Sequence, residues 1–348
     1  MAPIQNARVL FNSVPSGESA ARGPNVLGSP SRRADYPAAP LNGGFLLKVL
    51  VLSVDPYFRG KIRAPEKKSY SPGFIIGAPL EGYGIGVVLR SETPGVEVGK
   101  YIYGLTIPHQ EYLMLPELSD LEIIEKHPGL PWPAYVGAAG MPGKTAYVGW
   151  KEYSDAKPVT IPARTPLSAL ISGAVGSVVI QLAKQAGMKV IASAGSEEKV
   201  QYMKDLGADV AFNYKTTDTR AVLAKEGPIN VYWDNVGSEV LEAALDFAAI
   251  HGRFSKCGMI SGYNTGHQGI KNLKLVYGRS LNIHGILVFR LQAKYDKEFY
   301  ATIPAKLASG EIKYAEEITR GQNKVGDDIL AVRKGENKAK AVIVVAEE

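Results

Sequence analysis

The chain has 348 residues, more than one ordinary hydrophobic core organises, so two domains are expected. Hydrophobic residues make up 45% and charged residues 21%, a balance that provides a sizeable core and excludes an intrinsically disordered chain. The net charge of +6 is spread without a dense basic run, and no RNA-binding signature or recognition-helix pattern accompanies it, which favours anionic small molecules over nucleic acid as partners.

In chain order, Pro15 to Gly44 is rich in Pro, Gly, Ser and Ala and reads as a loop. "FLLKVLVLSVDPYFRG" then reads as a buried strand ending in a turn at Asp55-Pro56. Up to about Gly137 the runs stay short and β-like, punctuated by turn glycines, as in a β-rich, barrel-like domain. Beyond "GAAGMPGKTAYVGW", strands and helices alternate through "LSALIS", "SVVIQLAKQAG", "KVIASAG" and "EEKVQYMKDLGA". Two more strands, "NVYWDNVG" and "GRFSKCGMI", flank "SEVLEAALDFAAIH", whose apolar residues fall at helical spacing. Such alternation predicts parallel strands with crossover helices, a doubly wound α/β sheet. The final strand, "AKAVIVVAEE", is most easily housed by a return to the β-rich domain, which makes that domain discontinuous. The expected boundaries are 1–137 with 315–348 for the β-rich part and 138–314 for the α/β part.

"LISGAVGSVVIQLAK" has the layout of a dinucleotide-phosphate site: a strand, a glycine turn and a helix. Gly173 and Gly176 let the backbone approach a pyrophosphate, and a helix starting near Ser177 points its free N–H groups at it. The third glycine of the usual fingerprint is absent, so a ligand-free strand-turn-helix stands as the alternative reading. An NAD site places Asp or Glu at the end of the second strand, about 20 residues on. Here that end is Ala194, Gly195 and Ser196, followed by Lys199, a combination that suits the 2′-phosphate of NADP(H). Glu197 and Glu198 are explained as first-turn carboxylates favoured by the helix dipole.

The ordered set "SVDPYFRG", "GAPLEGYGIGVV", "GMPGKTAYVGW", "GSEEKVQYMKDLGAD", "FNYK", "DNVG" and "CGMISGYN" resembles the medium-chain dehydrogenase/reductase superfamily. More closely, it resembles the zinc-independent branch of leukotriene B4 12-hydroxydehydrogenase/prostaglandin reductases and plant alkenal double-bond reductases. The resemblance spans nearly the whole chain. It implies a GroES-like domain completed by C-terminal strands, a Rossmann domain, a cleft between them, and a homodimer joined through its Rossmann sheets. The implied reaction is NADPH-dependent reduction of the carbon–carbon double bond of α,β-unsaturated aldehydes and ketones. The implied cofactor contacts are Met141 and Thr145, Gly173, Ala174 and Val175 under the pyrophosphate, and Lys199 and Tyr214 at the 2′-phosphate. Asn235, Cys257 and Ile260 would line the ribose and nicotinamide, with Val288 and Asn337 as later contacts.

The zinc enzymes of the superfamily need thiolate and imidazole ligands. This chain has one cysteine and five histidines without paired ligand spacing, and "PLEGYG" where those enzymes carry Gly-His-Glu, so no metal is expected. A conjugated enone needs less help than an alcohol, because hydride arriving at its β-carbon pushes charge onto an oxygen that hydrogen-bond donors can hold. The resemblance makes Tyr263 of "SGYN" that donor, and Tyr57 of "VDPY" a residue that positions the substrate. Arg59 reads as structural, and Cys257 as a small packing residue because no histidine is arranged to activate it. No Gly-x-Ser-x-Gly elbow supports a hydrolase. Alternatives are a quinone oxidoreductase of the same superfamily and a nucleotide-binding protein without turnover. A lone cysteine suits a reducing compartment. With no apolar signal core or uninterrupted apolar span of about 18 residues, a cytoplasmic location away from membranes is expected.

Overall fold

The β-like runs of the N-terminal part become β1 (Ile4–Ser13), β2 (Asn25–Ala34), β3 (Phe45–Ser53), the single-turn helix α1 (Phe58–Lys61), β4 (Glu81–Ser91), β5 (Tyr101–Pro108), β6 (Tyr112–Leu115) and β7 (Glu122–Ile124). The alternating part becomes α2 (Met141–Tyr153), β8 (Leu167–Ile171), α3 (Ala174–Gln185), β9 (Lys189–Ala194), α4 (Glu197–Asp205), β10 (Val210–Asn213) and α5 (Thr219–Glu226). It continues through β11 (Ile229–Asp234), α6 (Ser238–Asp246), β12 (Ala248–Lys256), α7 (Lys274–Gly278), β13 (Asn282–Gly285) and α8 (Gln292–Ala308). The chain ends with β14 (Glu316–Arg320), α9 (Val325–Lys334) and β15 (Lys340–Val344). The computed structural model describes residues 4–15, 25–34, 36, 38–155, 167–171, 173–266 and 268–348. The proline-rich stretch at 157–166, just before the glycine turn, lies outside the described residues. Two units are formed, Met1–Gly137 with Glu316–Glu348, and Ala138–Ala315.

In the first unit, a mixed seven-stranded sheet runs β14-β15-β3-β4-β5-β7, with β6 also pairing with β3. The C-terminal β15 lies antiparallel on β3, Ile343 opposite Leu52, and carries β14 parallel on its outer side. Phe45, Leu47, Leu52, Phe58, Phe74, Ile107, Ile329 and Ile343 close the core of this unit. Each such side chain removed from water contributes roughly 1.5–3 kcal/mol. One expectation is corrected here. Part of the stretch read as a loop is strand β2, antiparallel to β1. "NVLGSPSRRA" has no apolar alternation to announce a strand, yet it pairs with β1 from Asn25 opposite Ser13 to Ala34 opposite Ile4.

The second unit contains a six-stranded sheet ordered β10-β9-β8-β11-β12-β13, parallel throughout. This is the Rossmann order, reversing direction between β8 and β11, where ligands seat at the carboxyl ends of the strands. β9 and β11 are buried over most of their length, as strands covered on both faces must be. In α3 the residues Val178, Val179, Ile180, Leu182 and Ala183 are buried, and Gly187 at φ 76° stops the helix. Ser196 caps α4 by accepting from the Lys199 N–H, and Glu197 and Glu198 fill its first turn. The "AAIH" stretch assigned to a helix belongs to β12, because α6 stops at Asp246 and Ala248 already pairs with Ile229.

Candidate functional site

The parallel register brings the strand ends into one row. Ile171 pairs with Ser193, Asn213 with Ala194, Asp234 with Lys256, and Lys256 with Gly285. Every candidate cofactor residue of the second unit that follows β8 to β12 leaves the sheet from this edge.

After β8, Gly173 sits at φ +138°, a conformation that strains any residue with a Cβ, and the space where a Cβ would stand is open. Helix α3 starts at Ala174, three residues earlier than the sequence suggested. The turn therefore depends on Gly173 alone, while Gly176 is buried inside the first helical turn. The N–H groups of Ala174, Val175 and Gly176 begin the helix, where no intrahelical acceptor exists, and the Ser177 N–H is the first to close, on Gly173 O at 2.9 Å. An open helix start beside a bare glycine is what a pyrophosphate requires.

The end of β9 carries no carboxylate. A Cβ on Gly195 would lie 2.8 Å from the Tyr214 hydroxyl and 3.2 Å from Lys215 Cε, so the glycine keeps this corner clear. Tyr214 is anchored by its N–H to Ala194 O at 3.0 Å while its side chain stays 47% exposed. Ser196 and Lys199 are part-buried at the start of α4. Glu197 and Glu198 are exposed, and Glu197 accepts from Asn213 Nδ2 at 2.8 Å. The corner thus gathers Ser196, Lys199 and Tyr214, as a 2′-phosphate demands, and its donor set fits NADP(H).

The turns after β11 and β12 are woven together. The main-chain oxygen of Asp234 accepts from the N–H groups of Cys257 and Gly258 at 2.9 and 3.0 Å, and Asn235 O accepts from Ile260 N–H at 3.1 Å. Trp233 Nε1 donates to Asn235 Oδ1 at 3.1 Å and orients that amide. A Cβ on Gly258 would meet Asn235 O at 3.1 Å and the Tyr263 hydroxyl at 3.4 Å. Asn235, Cys257, Ile260 and Tyr263 therefore converge on one small patch. Burial pushes the Cys257 thiol up to about 12, with the Asp234 carboxylate adding to the effect and Lys256 opposing it. Such a thiol stays protonated and is no nucleophile.

The remaining candidates lie apart. Met141 opens α2, and Thr145, one turn later, donates from its hydroxyl to Met141 O at 2.8 Å. Val288 is buried in a short turn that packs against α2. In the first unit, Asn337 donates its amide to Ala339 O at 2.8 Å. Tyr57, also in the first unit, packs edge-on against Phe58 at 5.2 Å. Its buried hydroxyl has no hydrogen-bond partner among the described residues, and burial first, then Asp55 and Tyr83, raises its pKa well above the usual phenol value. Arg59 donates to Ile62 O in its own turn, a structural bond. Glu81 pairs with the buried Lys61 at 3.0 Å and Leu80 is fully buried. His109 is buried, its pKa lowered to about 3 by desolvation and by Lys61. Among the described residues, no three His, Cys, Asp or Glu side chains are grouped to hold a metal ion.

Three residues escaped the sequence reading: Asp234, Lys256 and Gly258. They stand beside assigned residues in "DNVG" and "SKCG", but their contacts depend on which strands become neighbours.

A family model described as zinc-binding dehydrogenase matches residues 174–304, and one described as N-terminal domain of oxidoreductase matches residues 31–123. The chain is 36% identical over 308 residues to a 2-alkenal reductase (NADP(+)-dependent) of Nicotiana tabacum, covering 87% of this chain and 88% of that protein. The chain belongs to the medium-chain dehydrogenase/reductase superfamily, in its zinc-independent alkenal double-bond reductase branch. This double-bond reductase chain also shares 35% identity over 315 residues with the (+)-pulegone reductase of Mentha piperita, covering 88% and 89% of the two chains. Among solved structures, CurA in complex with NADPH from Vibrio vulnificus superposes with a TM-score of 0.82 at 28% identity, covering 98% of this reductase and all of that chain.

Proposed function

We propose that this protein is an NADPH-dependent reductase of the carbon–carbon double bond of α,β-unsaturated aldehydes and ketones. The observation that carries the reading is the Tyr263 hydroxyl lying against the Gly258–Asn235 turn, on the same sheet edge as the open glycine turn at Gly173. NADPH, when bound, supplies the hydride. The backbone at Gly173 to Gly176 holds its pyrophosphate, and Ser196, Lys199 and Tyr214 hold the 2′-phosphate. Asn235, Cys257 and Ile260 line the ribose and nicotinamide, with Met141, Thr145 and Val288 on the side of α2. For Tyr57 and Asn337, both in the first unit, the assignments to substrate and cofactor rest on the family resemblance.

As the β-carbon of the enone receives hydride, negative charge develops on the carbonyl oxygen. The Tyr263 hydroxyl donates to that oxygen and passes a proton toward the α-carbon, directly or through water. Cys257, kept protonated by burial, fills space and forms no adduct. The lone cysteine supports a cytoplasmic, reducing location. A homodimer through β13 is supported by its place at the end of the sheet and by the exposed Ile283 on it.

The test is the initial rate of NADPH loss at 340 nm against an enal, an aryl enone, a quinone and a saturated aldehyde, repeated with NADH and with a chelator. Chelator-insensitive conversion of the enal or enone to its saturated carbonyl, preferring NADPH, is expected. Turnover of the quinone alone refutes the assignment.

A further inference from the structure

Lys256 ends β12 and Asp234 ends β11, and the two are direct partners across the parallel ladder. Asp234 is 1% exposed, and its Oδ2 takes the Lys256 ammonium at 2.5 Å. Its Oδ1 accepts from the N–H groups of Val236 and Gly237 at 2.9 and 2.8 Å, so one carboxylate fixes the turn that follows β11. The same ammonium donates to Gly258 O at 2.7 Å and so fixes the turn that follows β12. Room for it is reserved by a glycine: a Cβ on Gly237 would stand 3.1 Å from Lys256 Nζ. Gly258, whose carbonyl Lys256 holds, is the residue against which the Tyr263 hydroxyl lies.

We propose that Lys256, through its ion pair with Asp234, is a positioning residue for the reaction: it sets the plane of the Gly258 peptide and with it the relative placement of Asn235, Cys257 and the Tyr263 hydroxyl around the nicotinamide. The inference rests on the reading of this patch as the nicotinamide seat. Lys256 touches neither substrate nor cofactor in this account and acts through the two turns it joins. The 2′-phosphate corner at Ser196, Lys199 and Tyr214 follows β9 and β10, on the far side of β8 from the pair on β11 and β12. Affinity for NADPH and speed of turnover should therefore separate when the pair is removed.

The experiment uses the full chain and three variants: Lys256→Arg, Lys256→Met, and the double variant Asp234→Asn with Lys256→Met. The double variant leaves no unpaired buried charge and keeps an acceptor for Val236 and Gly237, so it remains informative if Lys256→Met does not fold. Saturation with NADPH is followed by its fluorescence, the blue shift of the bound nicotinamide emission is recorded, and kcat and KM are measured with a trans-2-alkenal. The double variant should bind NADPH within about threefold of wild type, show a reduced emission shift, and lose about 10- to 100-fold in kcat, the scale of a displacement near 1 Å. Lys256→Arg, which can still reach Asp234 and the Gly258 carbonyl, should restore kcat to within about threefold. Wild-type kcat and emission shift in the double variant would overturn the proposal, as would loss of NADPH affinity in step with kcat. If wild type binds NADPH but reduces no enal, the proposed reaction falls, and the emission shift alone still decides whether the pair organises the nicotinamide seat. If wild type binds no NADPH, both readings fall together.

Discussion

Lys199→Ala separates recognition of the 2′-phosphate from everything else the residue does. The contribution of Lys199 to the cap of α4 is made by its backbone N–H, which bonds to Ser196 Oγ at 3.4 Å and survives the substitution. Alanine is also at least as good a helix former as lysine, so the helix should not suffer. On the proposed function, what is lost is the ammonium that meets the dianionic 2′-phosphate. Charge-assisted hydrogen bonds of that kind are worth about 1.5–3 kcal/mol, and the part-exposed position places this one near the middle, at about 2 kcal/mol. At 1.4 kcal/mol per tenfold, the KM for NADPH should rise about 30-fold while the KM for NADH, which has no 2′-phosphate, stays put. The assay is the 340 nm rate with a saturating enal across both cofactor concentration series. An equal loss for the two cofactors, or none for either, would refute the phosphate assignment and with it the reading of Gly195, Ser196 and Tyr214 as one corner.

Three further outcomes follow from the same geometry. Tyr263→Phe should lower kcat with an enal about 10²- to 10³-fold, the usual consequence of deleting one donor to a developing oxyanion, and leave the KM for NADPH unchanged; full turnover would remove the hydroxyl from the mechanism. Gly258 does not lie in the left-handed region, so Gly258→Ala acts only through contacts at 3.1 and 3.4 Å, which must open by a few tenths of an ångström. Scaled from about a hundredfold per ångström, that displacement costs about threefold to fivefold in kcat, and an unchanged kcat would show that the turn yields freely. In the first unit, burial raises the Glu316 carboxyl from 4.5 to about 7, with Lys340 opposing. The folded state then holds the proton more tightly than the unfolded chain, so stability is greatest below the unfolded value and is lost as pH rises toward the folded one. Between pH 5 and 8, wild type should lose about 2–3 kcal/mol more than Glu316→Gln in urea denaturation, and parallel profiles for the two would contradict the shift.

The features legible in the sequence are those written locally. The doubly wound sheet shows in the alternation of short apolar runs with amphipathic stretches. The cofactor shows in "ASAGSEEK", where the residue types at a single strand end distinguish a 2′-phosphate from a free ribose hydroxyl. Local patterning failed where backbone pairing or register decides. Strand β2 has no apolar face to read, and the start of α3 moved three residues because Gly173 alone makes the turn. The Asp234–Lys256 pair is the sharpest case. The two residues are separated by a whole helix, and nothing in either segment marks them as partners. They meet only because β11 and β12 lie side by side with Asp234 opposite Lys256. A slip of one residue in that ladder would turn Lys256 to the other face of the sheet and leave the Asp234 carboxylate buried without its cation. The ion pair therefore rewards the register that also sets Cys257 and Gly258 against Asn235, and the same two side chains select the fold and shape the candidate site.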